Sequence, residues 1–203
     1  MIANILLTCL LSLSLSHIST FGVNAEKAIP STSGQYLPPS SDPNCADPSL
    51  TARYITYFNT AVTAHTVDQR FYFINNDGAG AGAQWVLQGD NFCAWGTAQN
   101  FTSPLYLFYN PSTNDYHFIL SADGTVPKPS GLQAQGIRAH VYATQVCGSV
   151  PLYTLSKPSV GDHWYTIFQG ERETLISFGW VDGGILAYVL PLESRSCLLM
   201  GVC

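Results

Sequence analysis

The sequence predicts an all-β domain: a β-trefoil of three four-stranded repeats with pseudo-threefold symmetry. Three observations carry this expectation. PLYLFYNPSTNDYHFI begins at Pro104 and PLYTLSKPSVGDHWYT at Pro151, an offset of 151 − 104 = 47. GIRAHV at Gly136 and GILAYV at Gly184 follow in the same order, at an offset of 184 − 136 = 48. A decayed copy upstream, YITYFNTAVTAHTV from Tyr54, puts His65 where His163 falls and Ala64 where Asp162 stands. Its run FCAW aligns Phe92 and Ala94 with Ile137 and Ala139, then with Ile185 and Ala187. The repeats lie near 52–99, 102–147 and 149–192, within one domain over 45–203. A single repeat cannot bury its apolar face alone, so the copies must share one core. Closure also removes the strand edges that three separate sheets would expose.

The chain opens with ANILLTCLLSLSLSHISTFGVNA, an apolar run that ends in Val23-Asn24-Ala25. That small-x-small ending predicts a signal peptide over 1–25. Ser12, Ser14, Ser16 and His17 interrupt the run, which is short of the ~20 apolar residues a membrane span needs. Residues 26–44, rich in Pro and Ser, read as a flexible arm. In the last repeat, Leu152 to Ser156 and His163 to Phe168 read as strands, Trp180–Val181 as the core of a third and Ile185 to Leu190 as the fourth. Pro158, Gly161, Gly183 and Gly184 punctuate them. ERETLISF has apolar Leu175, Ile176 and Phe178, enough for one or two helical turns ending at Gly179. Ile185, Ala187 and Val189 share one face by alternation. The first repeat carries an insertion, NNDGAGAGAQ over 75–84, that reads as a loop.

Composition narrows the function. Charged residues are 10%, aromatics 12% and the net charge is −5. The chain is too apolar for disorder and has no Lys/Arg cluster to neutralise phosphates, which argues against a nucleic-acid partner. No later segment is apolar and long enough to span a membrane. Loss of Cys9 with the signal leaves Cys45, Cys93, Cys147, Cys197 and Cys203, expected mostly to pair in an oxidising, extracellular compartment, with the odd one free, intermolecular or trimmed away. First and last strands are neighbours in a closed barrel, which predicts Cys197 or Cys203 as the partner of Cys45. Asn100-Phe101-Thr102 is an N-glycosylation acceptor.

The stretch PSVGDHWYTIF sets an acid and a histidine between a glycine turn and aromatics. Asp162 either closes the turn through backbone N–H groups or accepts hydroxyls of a sugar whose apolar face lies on a ring. On the second reading the candidate carbohydrate-binding residues are Asp162, His163, Trp164 and Trp180, with Asp115 and Tyr116 in the middle repeat. Ala64 removes the acid from the first repeat. Trp95 and Tyr188 read as core plugs, since aromatics dominate cores.

A metal site and a cofactor are not expected. His65 and His163 are equivalents, which symmetry sends to different sides, and no H-x-x-x-H or C-x-x-C spacing occurs. Catalysis is not expected either: there is no G-x-S-x-G elbow or P-loop, and the acids are scattered. Glu171 and Glu173 favour the dipole of a short helix.

The combination PLY, NPST-x-D, an aromatic run and G-I-x-A resembles a short repeat of unknown function in secreted fungal and bacterial proteins. The last repeat matches through PLY, GDHWYT, Glu171 and GILAYV; the middle one keeps PLY, NPST and Asp115 but has Tyr116-His117. That repeat occurs beside carbohydrate-active domains, and the resemblance implies carbohydrate binding. The expectation is a secreted, non-enzymatic, lectin-like protein whose partners are glycans. The competing classes are a trefoil protease inhibitor that uses the 75–84 insertion as its loop, and a structural or interaction protein of the secretome with no small ligand.

Overall fold

The computed structural model describes residues 43–78 and 84–193. The expected signal peptide (1–25), the arm up to residue 42, residues 79–83 of the insertion, Cys197 and Cys203 lie outside the described residues. A 3-10 turn, Pro48–Leu50, leads into β1 (Thr51–Asn59), β2 (Ala64–Asp68), α1 (Arg70–Gly78) and β3 (Trp85–Trp95). Next come β4 (Ser103–Asn110), β5 (Asp115–Leu120) and β6 (Gln133–Val141). The last group is β7 (Val150–Lys157), β8 (Asp162–Thr166), α2 (Gln169–Ser177) and β9 (Val181–Val189). The domain is all-β, and its named strand pairs are antiparallel. In each triplet the first strand is central: β1 between β2 and β3, β4 between β5 and β6, β7 between β8 and β9.

The described residues hold nine strands, three per triplet, instead of the expected four. Val181 and Ile185 to Val189, assigned above to two strands, belong to the single strand β9. The glycines read as punctuation make a bulge instead. Leu152 faces Ala187, Tyr153 faces Ile185, and Leu186 is passed over. Gly184 takes φ 80° beside this bulge, and Gly136, beside the matching bulge in β6, takes φ 93°. A glycine accepts this left-handed backbone without a Cβ clash, so the strand bends and continues.

The same register corrects the alignment of the first repeat. The passed-over residues are Asn91, Arg138 and Leu186. Phe92 is therefore the counterpart of Ala139 and Ala187, and Ala94 that of Val141 and Val189, two residues from the expected match. A slip of two keeps every side chain on its own face, so alternation in the sequence could not detect it.

With this alignment the core resolves into layers, each with one member per triplet. Tyr54, Leu105 and Leu152 form one; Val67, Phe118 and Tyr165 another. Phe92, Ala139 and Ala187 form a third, and Ala94, Val141 and Val189 a fourth. Volume is shared within the layers. Tyr54 and Phe92 stack at 5.2 Å where the other triplets set Leu against Ala.

The third strands tie the triplets together. Trp95 of β3 pairs with His140 of β6, Tyr142 with Tyr188, and Leu190 with Cys93. The last two bridges each carry a reciprocal pair of 2.9 Å backbone hydrogen bonds. Trp95 and Tyr142 plug this end, 5.1 Å apart edge to face, and Leu190 packs with them. Tyr188 is only partly buried against that cluster. α2 ends as expected: Gly179 N–H donates to Ile176 O and Trp180 N–H to Leu175 O, the crossed bonds of a glycine-terminated helix.

The disulfide pairing differs from expectation. Cys45 joins Cys147, with Cα atoms 5.7 Å apart; Cys93 is also disulfide-bonded. The segment before β1 does reach the last strand, since Ala46 packs with Leu190. Its anchors, however, point to β3 and the end of β6. Ala46 N–H donates to Tyr142 OH at 3.0 Å, and Trp95 Nε1 donates to Asp47 O at 2.6 Å. The bridge closes a loop of 102 residues. Replacing both cysteines by serine should lower unfolding free energy by roughly 2–5 kcal/mol in urea titrations. A non-reducing peptide map should recover Cys45 linked to Cys147.

Candidate functional site

The hairpin β7–β8 delivers Asp162 to the interior at the first residue of β8. Gly161 before it, at φ 65°, lies so close to Thr113 that a Cβ would stand 2.5 Å from Thr113 Cβ. The turn thus needs glycine both for its backbone and for the approach of the middle triplet. Asp162 is 4% exposed. It does not cap its own turn. Its Oδ1 accepts from the His65 backbone N–H at 2.8 Å, and its Oδ2 lies 2.6 Å from His65 Nδ1. A carboxylate this close holds the ring proton on Nδ1.

The interaction repeats one step round the molecule. Asp115, 2% exposed, sets Oδ2 2.6 Å from His163 Nδ1. Its Oδ1 accepts from the Tyr116 N–H at 2.7 Å. The acid of the third triplet thus holds the histidine of the first, and the acid of the second holds that of the third. A third such pair would join positions 64 and 116, which are Ala64 and Tyr116. That joint is made differently. Arg138 Nε lies 3.4 Å from Asp68, the Arg138 guanidinium donates to Tyr72 OH at 3.1 Å, and Tyr54 OH donates to Arg138 O at 2.7 Å. Burial pushes the Asp68 carboxyl up to about 6.

Two residues past each acid stands the side chain that distinguishes the interfaces. After Asp162 it is Trp164, whose ring lies 4.4 Å from His65 and 6.3 Å from Trp180. Phe58 covers His65 from another side at 4.5 Å, and Lys157 Nζ sits 5.8 Å from the Trp180 ring centre. After Asp115 it is His117, whose ring lies 4.2 Å from His163 and whose Nε2 lies 3.1 Å from Asp115 Oδ2. Burial alone would raise the Asp115 carboxyl; His117 and His163 outweigh it, and the net shift is downward.

Trp164 also faces a cleft between the first and third triplets. Thr56, Gln88, Gly89, Asp90 and Asn91 form one wall, and Trp164, Phe168 and Glu171 the other. The bulge in β3 provides the first wall; the turn from β8 into α2 provides the second. Phe168 is exposed. Asn91 is fixed by donating to Thr56 Oγ1 at 2.9 Å and Tyr165 O at 2.6 Å, and Asp90 pairs with Arg53 at 2.7 Å.

The sequence-derived candidates therefore divide. Trp164 and Trp180 come together beside the cleft. Asp162 and Asp115, expected as hydroxyl acceptors, are buried with their carboxylates against His65 and His163, and His163 lies against Asp115 and His117. Tyr116 packs 5.2 Å from Tyr109 and 5.7 Å from Trp85. His117 and His163 are not equivalents, so symmetry does not part them as it parts His65 from His163, and they meet across an interface. Gln88, Asp90, Asn91 and Phe168 were missed, because one wall of the cleft depends on the bulge. Asn100 is exposed in the turn before β4. The insertion read as an inhibitor loop begins inside α1.

The fold and this cleft define a disulfide-bonded all-β domain of antiparallel sheets with an aromatic and acidic inter-triplet groove. Residues 55–190 match the family described as Domain of unknown function (DUF5648), and the chain belongs to that family. No curated protein and no solved structure matches the chain.

The lowered Asp115 carboxyl has a pH consequence. A carboxylate depressed in the folded state adds stability above its unfolded value of about 3.9, and this is lost as pH falls through the folded value. Urea unfolding between pH 6 and pH 2.5 should show a shallower acid loss for Asp115→Asn than for the wild type. Equal slopes would contradict the assignment.

Proposed function

We propose that the protein is a secreted, non-enzymatic carbohydrate-binding protein that takes glycans of cell-wall or extracellular polymers in the cleft between the first and third triplets. One observation carries it: Trp164 and Phe168 flank the carboxylates of Asp90 and Glu171 and the amide of Gln88 in one open groove. A ring covers the apolar face of a sugar, while carboxylates and amides accept and donate to its hydroxyls. Glu171 sits in the first turn of α2 and lines the groove. The signal-like leader, the disulfide and the exposed Asn100 sequon support secretion and glycosylation. The cyclic contacts of the second strands and of the third strands support a trefoil-like arrangement about one axis, with three strands per repeat. The binding residues are then Trp164, Phe168, Glu171 and Gln88, with Trp180 as an outer platform and the buried acids as scaffold.

Glycan-array binding and pull-down on insoluble polysaccharides test this with the folded, disulfide-intact protein. Trp164→Ala should weaken binding about 30-fold, a loss of ~2 kcal/mol typical of a central aromatic anchor. Glu171→Gln should weaken it roughly tenfold, as expected for a charge-assisted hydrogen bond. Absence of binding to any glycan, or full affinity in Trp164→Ala, would overturn the proposal.

A further inference from the structure

We propose that Asp115, His117 and His163 bind one divalent transition-metal ion of the zinc type at the interface of the second and third triplets. The candidate ligand atoms of these three residues all lie within 4.8 Å of one another. Two imidazoles and one carboxylate are a donor set suited to such an ion and unsuited to magnesium or calcium, which take oxygen ligands.

Comparison with the sister interface carries the argument. Asp162 and His65 form the same pair without help, so the Asp–His contact alone is scaffold. There the residue two past the acid is Trp164, whose indole has no lone pair for a metal. At the second interface the same place holds His117, and among the described residues three donors meet only there. His117 Nε2 is buried and has no hydrogen-bond partner, although it lies 3.1 Å from Asp115 Oδ2. It is close to the oxygen but not aligned to donate to it, as a nitrogen directed at a shared ion would be.

The distances suit small adjustments. Metal–ligand bonds of about 2.0–2.2 Å at tetrahedral angles separate neighbouring ligand atoms by roughly 3.4 Å. The His117–Asp115 separation of 3.1 Å is near that value. The His163–Asp115 contact of 2.6 Å is a hydrogen bond; it opens as the ion takes the Nδ1 lone pair, and the single ring proton is then carried on Nε2, so the imidazole binds neutral. Tyr116 N–H, bonded to Asp115 Oδ1, keeps the carboxylate turned with Oδ2 toward the histidines. A fourth position is left for water. The proposal does not depend on carbohydrate binding, since the glycan cleft lies at the other interface.

Untagged, chelator-treated full-length protein should take up one equivalent of Zn²⁺ by calorimetry and give the visible absorption of tetrahedral Co²⁺. His117→Thr and His117→Trp place at 117 the side chains that the fold accepts at 66 and 164, so both should fold. Each should lower Zn²⁺ affinity on the order of 100-fold and abolish the Co²⁺ spectrum. His140→Gln, a histidine at the plugged end of the barrel, should leave both unchanged. No uptake by the wild type, or uptake indifferent to His117, would overturn the proposal.

Discussion

A carboxylate buried in a protein interior is tolerable only with partners that replace its lost water, and here the partners come from another triplet. Asp162 spends both oxygens on His65, 97 residues away. Asp115 spends one on His163, 48 residues away. Each triplet is a short three-stranded unit, the first two joined through β3 and β6 in one six-stranded sheet and the third forming a sheet of its own, and a unit of this size is marginal alone. The acid at the start of β5 or β8 therefore obliges that strand to dock against its neighbour, which brings the core layers into register. The third-strand bridges and the Cys45–Cys147 disulfide close the opposite end.

The three triplets meet at three joints, and different side chains fill them. Where Asp162 meets His65, Trp164 turns the joint outward into an aromatic cleft. Where Asp115 meets His163, His117 brings a second imidazole to one carboxylate. Where Ala64 and Tyr116 occupy the equivalent places, Arg138 and Asp68 supply the ionic contact from other strands. The variable place two residues past the acid holds Thr66, His117 or Trp164, and each leaves a buried polar atom without a partner. One backbone slot thus provides a groove wall, a metal ligand or a plain joint according to its side chain.

Much of the fold was legible in the sequence because it rests on local patterns. The offsets of 47 and 48 residues located the repeats, and ERETLISF followed by Gly179 located α2. The strand count was not legible. Gly183-Gly184 is equally compatible with a turn and with a bulge, and only the facing strand β7 decides between them. The alignment of Phe92 failed for a related reason, because a two-residue slip preserves the alternation. The site was half legible. GDHWYT marked the right place, yet nothing local shows that Asp162 faces the β2 strand of another repeat. Gln88 and Asp90 gave no signal, since their position follows from the bulge in β3.

The Asp–His contact couples two triplets and is more than two independent polar residues. A double-mutant cycle on Asp162→Asn and His65→Gln, read by urea unfolding at pH 7, measures it directly. Either single change should cost about as much as both together, with a coupling energy of roughly 1.5–3 kcal/mol. Losses that add to within about 0.5 kcal/mol would contradict it.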